Sequence, residues 1–217
     1  MAGDAVGLSS DDPGGGAGLS GAGGPTPRAL WLAWILASGV GGWICAIFAR
    51  PVSIAVGGVV GNVLGPIAAE AAVGALAMGG VLLGVAVGQW LVIRRHVSWA
   101  GWSALATALA GAAGGAGALG ALQAVAGVAG EAGSVAVAVV LGLAAFWLVH
   151  WWVLKTQICA PGHFATLGVV ALIAAVLGTA LVGAIAGDLA GQGIGGGTLG
   201  AVYAAVTGRR AINEAQL

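Results

Sequence analysis

The residues of this chain that could do chemistry by type and spacing are three histidines, three acids and one glycine stretch. His96, His150 and His163 carry imidazoles, which in the neutral form are good axial ligands for a haem or a chlorophyll-type pigment. No Cys-x-x-Cys-His run accompanies them, so covalent haem attachment is not indicated, and no cofactor is assigned. The bland alternative is a set of hydrogen-bonded histidines near a membrane interface, with Gln89 and His150 bonded across helices. Glu70, Glu131 and Asp188 are each expected at the N-terminus of a helix, where the helix dipole favours a carboxylate by roughly 0.3–1 kcal/mol. Their functional alternative is an outer acidic ring around a pseudo-threefold mouth, attracting cations. Gly191-Gln192-Gly193-Ile194-Gly195-Gly196 fits the G-x-G-x-x-G pattern. That phosphate cradle needs a preceding strand and a βαβ unit, and neither is expected here, so the stretch reads as the thin start of a close-packed helix. Cys45 and Cys159 form no metal or redox motif. No Ser-His-Asp set, H-E-x-x-H run or mid-span carboxylate pair is visible, which argues against an enzyme, an ion-coupled pump or an intramembrane protease.

The elements that carry these residues follow from composition. Of the 217 residues, 59% are hydrophobic and 6% charged, against about 25% charged in an ordinary soluble domain. The lipid bilayer is therefore the expected solvent and first partner. Seven Lys/Arg balance seven Asp/Glu, which leaves no basic footprint for nucleic acid. Residues 1–27 are rich in Gly, Ser, Asp and Pro and read as a disordered tail. They contain no Lys or Arg, so the basic region of a secretory signal is missing and the first apolar run reads as a retained membrane helix.

Charges then divide the membrane domain, 28–210, because each one costs roughly 2.5–3.5 kcal/mol at the centre of a span and a span needs about 20 apolar residues. This predicts an all-α, polytopic helix bundle with spans at 29–49, 70–94, 101–127, 133–155, 162–187 and 189–208, and a tail at 211–217. Residues 51–67 lie between two prolines and are expected as a re-entrant segment or an extra span. Six spans with both termini in the cytoplasm put Arg28, Arg94, Arg95, Lys155, Arg209 and Arg210 inside, in keeping with the positive-inside rule; Arg50 is the exception. The tryptophans, Trp43 apart, cluster at the same inner ends, where indoles favour the headgroup level.

A shift of 61 residues lays Glu70–Trp102 on Glu131–His163 without a gap, pairing Trp90 with Trp151, Arg94 with Lys155 and Gln89 with His150. A weaker third copy opens at Asp188, so three repeated helical hairpins are expected. Gly88-Gln89-Trp90-Leu91-Val92-Ile93-Arg94-Arg95-His96-Val97 followed by Ala100-Gly101-Trp102 resembles the repeated GLxQWLVLRRxV…AGWW signature of uncharacterised Gly/Ala-rich multi-pass membrane proteins of bacteria. The second copy departs from it at His150, Trp152 and Lys155-Thr156. The resemblance implies a bacterial inner membrane and carries no established activity.

The 43 glycines include runs at four-residue spacing, Gly57-Gly61-Gly65, Gly80-Gly84-Gly88 and Gly183-Gly187-Gly191. Such faces let helix backbones approach closely, within this chain or against another subunit or a second copy. The function expected from these residues is structural or interactive in a bacterial membrane. A small-solute channel or permease and a haem- or pigment-binding subunit are the alternatives.

Overall fold

A computed structural model describes residues 26–95, 98–155, 161–186 and 188–215, with side-chain surroundings for 26–95, 98–155, 162–177 and 195–208. Six α-helices make up the described chain: α1 (Pro27–Leu64), α2 (Pro66–Ile93), α3 (Ala100–Val125), α4 (Gly130–Leu154), α5 (Pro161–Ala186) and α6 (Asp188–Ala215). Glycine disfavours helix by about 1 kcal/mol in water. An apolar environment outweighs that cost, because every backbone N–H and C=O must then bond within its own segment. Four of the helices, α1 to α4, are long and apolar enough to cross a membrane, and the chain is membrane-embedded in character.

The first helix departs from the expected division. Thr26 caps it, its hydroxyl accepting from the Ala29 N–H at 3.3 Å, and Pro27 supplies a first-turn position that needs no N–H. From there α1 runs for 38 residues, through Pro51, to Leu64, about 57 Å at 1.5 Å per residue. Residues 51–64 thus continue α1 and do not form a separate re-entrant or spanning element. Proline cannot donate to the carbonyl one turn back, but its fixed φ suits a helix, and the Ser53 hydroxyl donates to the Arg50 carbonyl at 2.8 Å. The break falls at Gly65, whose φ of 89° lies where residues with a side chain are strained, and Pro66 starts α2.

Two other boundaries differ from expectation. Because α2 starts at Pro66, Glu70 stands beyond its first turn, whereas Glu131 occupies the first turn of α4. At the other end, α6 continues past Arg209 and Arg210 to Ala215 and takes in most of the expected tail.

Each helix packs on its neighbours in sequence, and α6 closes on α1. The close approaches are made by glycine. A Cβ on Gly84 would strike the Gly41 carbonyl and, at 2.7 Å, the Cys45 sulfur; one on Gly88 would strike the Ala37 carbonyl; one on Gly80 would meet the Ala49 Cβ at 2.7 Å. Gly74 and Gly115 bring α2 against α3 in the same way, and Gly42 with Gly196 and Ser38 with Gly200 bring α1 against α6. With the backbones this close, few side chains suffice to fill the interior. Leu82, Val85, Phe146, Leu172, Leu199 and Tyr203 do so, with Ala110, Ala171 and Ala175 between them. The outside is apolar too: Leu36, Phe48, Val59, Val63, Val140 and Trp152 are exposed, as expected of a lipid-facing surface.

Candidate functional site: a polar layer where six helices meet

Near the ends of α2 and α4 that carry Arg94 and Lys155, all six helices contribute to one small enclosed cavity of about 20 Å³. Trp34 comes from α1, Gln89 from α2, Ser103 and Thr107 from α3, His150 from α4, Phe164 from α5, and Tyr203 and Thr207 from α6; Trp99, just before α3, completes the wall. Gln89 and His150 are each 4% exposed, and Trp34 and Tyr203 each 2%.

Two glycines make room for the bulkiest groups. A Cβ on Gly168 would lie 3.0 Å from His150 Nδ1, and one on Gly208 would lie 2.9 Å from the Trp34 ring. Phe146 meets the His150 ring edge to face, centroids 5.5 Å apart at 86°, and Trp99 meets Phe164 in the same manner at 5.9 Å.

The hydroxyls of this region are mostly satisfied within their own helices. Thr107 donates to the Ser103 carbonyl at 2.9 Å, Thr207 to the Tyr203 carbonyl at 2.8 Å, and Ser38, one turn from Trp34, to the Trp34 carbonyl at 2.7 Å. Tyr203 and Thr107 are joined by a side-chain hydrogen bond. The nitrogens are not satisfied: Trp34 Nε1, Gln89 Nε2 and His150 Nδ1 are buried with no protein partner. A buried polar group left so is costly. The expected Gln89–His150 hydrogen bond is thus not made through these two nitrogens, although both residues line the same cavity.

A void of this size holds a water molecule, for which about 10–15 Å³ is enough. It has no room for a porphyrin-type ring. Among the described residues, no three His, Cys, Asp or Glu side chains come together.

Around this layer runs an aromatic and basic girdle. The Arg94 guanidinium stands 4.9 Å from the Trp90 ring centroid, and Lys155 Nζ lies 5.5 Å from that of Trp151 and 5.6 Å from that of Trp152. Trp147 stacks on Trp151 at 6.1 Å.

The remaining candidates fall elsewhere. His163 is exposed near the start of α5, Glu70 and Glu131 are exposed, and His96 lies outside the described residues. Asp188 opens α6, but its side chain is outside the described set, as is the packing of Gly183; Gly187 lies outside it altogether. Gly80, Gly84 and Gly88 all face α1.

Trp34, Thr107, Tyr203 and Thr207 are site residues that the sequence reading did not single out. A signal existed for two of them. Gln89, His150 and Thr207 each stand 19 residues after Glu70, Glu131 and Asp188, and Val85, Phe146 and Tyr203 each stand four residues earlier. Comparison with known proteins finds no matching family model, no similar curated protein and no similar solved structure.

Proposed function

We propose that this chain is a six-span protein of a bacterial cell membrane, built from three related hairpins, α1–α2, α3–α4 and α5–α6, with a structural or protein-interaction role. In this reading the termini and the girdle face the cytoplasm, as the positive-inside rule favours. The common 19-residue spacing from acid to polar-layer residue in α2, α4 and α6 supports the relatedness of the hairpins. So do the two cation–π pairs, which use corresponding residues of two hairpins.

The observation that carries the role is the filled interior. Leu82, Val85 and Phe146 are each 0% exposed and belong to one apolar cluster with Leu199 and Tyr203. An aqueous path along the bundle axis would have to cross these side chains, and conduction requires a lined, enterable pore. The Gly80-Gly84-Gly88 face is spent on contacts with α1 inside the chain, so a partner subunit would meet the exposed aliphatic surface instead. A flux assay in sealed proteoliposomes tests this: the reading expects background rates for monovalent cations, anions and small neutral solutes.

A second reading, a small-solute permease, is favoured by the polar cavity alone. It requires a saturable flux that falls in His150→Phe.

A further inference from the structure

The polar layer makes a specific chemical demand. Trp34 Nε1 can only donate a hydrogen bond, and Gln89 Nε2 can only donate. His150 Nδ1 accepts when the imidazole proton sits on Nε2. All three residues line the enclosed cavity, and all three nitrogens lack a protein partner. With the His150 proton on Nε2, an occupant that satisfies them must accept two hydrogen bonds and donate at least one.

Size and charge narrow the class further. About 20 Å³ admits one small molecule of a single heavy atom. No Lys, Arg, Asp or Glu lines the cavity, so an ion there would be desolvated without a counter-charge, at a high cost. The occupant is therefore neutral. Ammonia has one lone pair and would leave one of the two donors unmet, whereas water accepts two hydrogen bonds and donates two.

We infer that the cavity is a binding site for one water molecule, which accepts from Trp34 Nε1 and Gln89 Nε2 and donates to His150 Nδ1. Bound in this way, the water joins α1, α2 and α4 through a single hydrogen-bonded centre. It would do for the polar layer what Leu82 and Phe146 do for the apolar core beside it. This inference rests on the cavity and its donors, and it stands whether or not the protein passes solutes.

Magnetisation transfer from water, measured by solid-state NMR on the full-length protein labelled with 15N-tryptophan in lipid bilayers, tests the site. The Trp34 indole is assigned by its loss in Trp34→Phe, or by residue-specific labelling should that variant fail to fold. The expected result is transfer from water to the Trp34 indole proton as strong as that to solvent-facing indoles, despite its burial. Gln89→Leu, which fills the cavity and removes a donor, should reduce that transfer at least severalfold. Absence of transfer to the Trp34 indole of the unaltered protein would overturn the site. Transfer that appears only on adding an ammonium salt would also overturn it, because the occupant would then be ammonia.

Discussion

Gln89 and His150, 61 residues apart in the chain, line one enclosed cavity from two different helices. Each is 4% exposed, and each stands five residues before the basic residue, Arg94 or Lys155, that follows its helix. Polar side chains at this depth are expensive unless satisfied. Their convergence, together with Thr207 from α6, makes the interior of the bundle polar at this level.

The helix approaches make a sharp prediction about glycine. Gly84→Ala should destabilise the protein by about 1–3 kcal/mol, because its Cβ would overlap the α1 backbone at Gly41 and backbone cannot be displaced cheaply. Gly58→Ala is the control, since nothing lies within 4 Å of a Cβ there; it should be neutral or slightly stabilising, given the better helix propensity of alanine. Thermal or denaturant unfolding in detergent measures both, and equal effects would remove the packing explanation.

Phe146 fills the interior with no exposed surface. Phe146→Ala should cost about 3–5 kcal/mol through lost contacts and the cavity left behind, whereas Phe146→Leu should cost under about 1.5 kcal/mol. The same variants probe closure: if the apolar cluster is what blocks the axis, Phe146→Ala combined with Leu82→Ala should leak small neutral solutes from proteoliposomes above the unaltered protein. A tight double variant that folds would show that another element closes the bundle.

Pro51 interrupts the hydrogen-bond ladder of α1 without ending the helix. Pro51→Ala restores the missing donor and should raise stability, by about 1–3 kcal/mol on the scale of proline in helix interiors. A loss of stability on unfolding would mean that the α1–α2 contact depends on proline at this point.

Much of this architecture was legible in the sequence. Arg28, Arg94, Glu131, Lys155 and Asp188 stand at or within a residue of helix ends, whereas Arg50, Glu70, Arg209 and Arg210 lie inside helices, and the 61-residue shift pairs Gln89 with His150. The Gly80-Gly84-Gly88 run could be read as a face, but what it faces could not. Proline was the misleading signal in α1: Pro51 looks like a boundary because proline breaks helices in water, yet the φ it imposes is helical, and the loss of one hydrogen bond is tolerated in a long apolar segment. Trp34 was read with the interfacial tryptophans, and its burial depends on Gly208, 174 positions later. Tyr203 and Thr207 are hidden from a fixed shift because the second interval is 57 residues where the first is 61, a difference of about one helical turn.

Topology has its own test. Cys159 follows Lys155 by four residues in the sequence, and in the six-span arrangement a membrane-impermeant thiol reagent should label it from the cytoplasm. Cys45 is half-buried within α1 and should stay unlabelled. Labelling of Cys159 from the outside would reverse the orientation proposed for the α4 and α5 ends.

The closed ring is the claim on which the polar layer, the filled interior and the proposed role all depend, and its closure is the α1–α6 contact. A Cβ on Gly39 would lie 3.6 Å from the Ala201 Cβ, within the range that a disulfide requires. With Cys45 and Cys159 replaced by serine, the pair Gly39→Cys and Ala201→Cys should therefore oxidise in the membrane to an intramolecular cross-link, read by mass after proteolysis between the helices. Efficient cross-linking within one chain is the result expected. Two free thiols under oxidising conditions, or a cross-link only between chains, would contradict the closed ring.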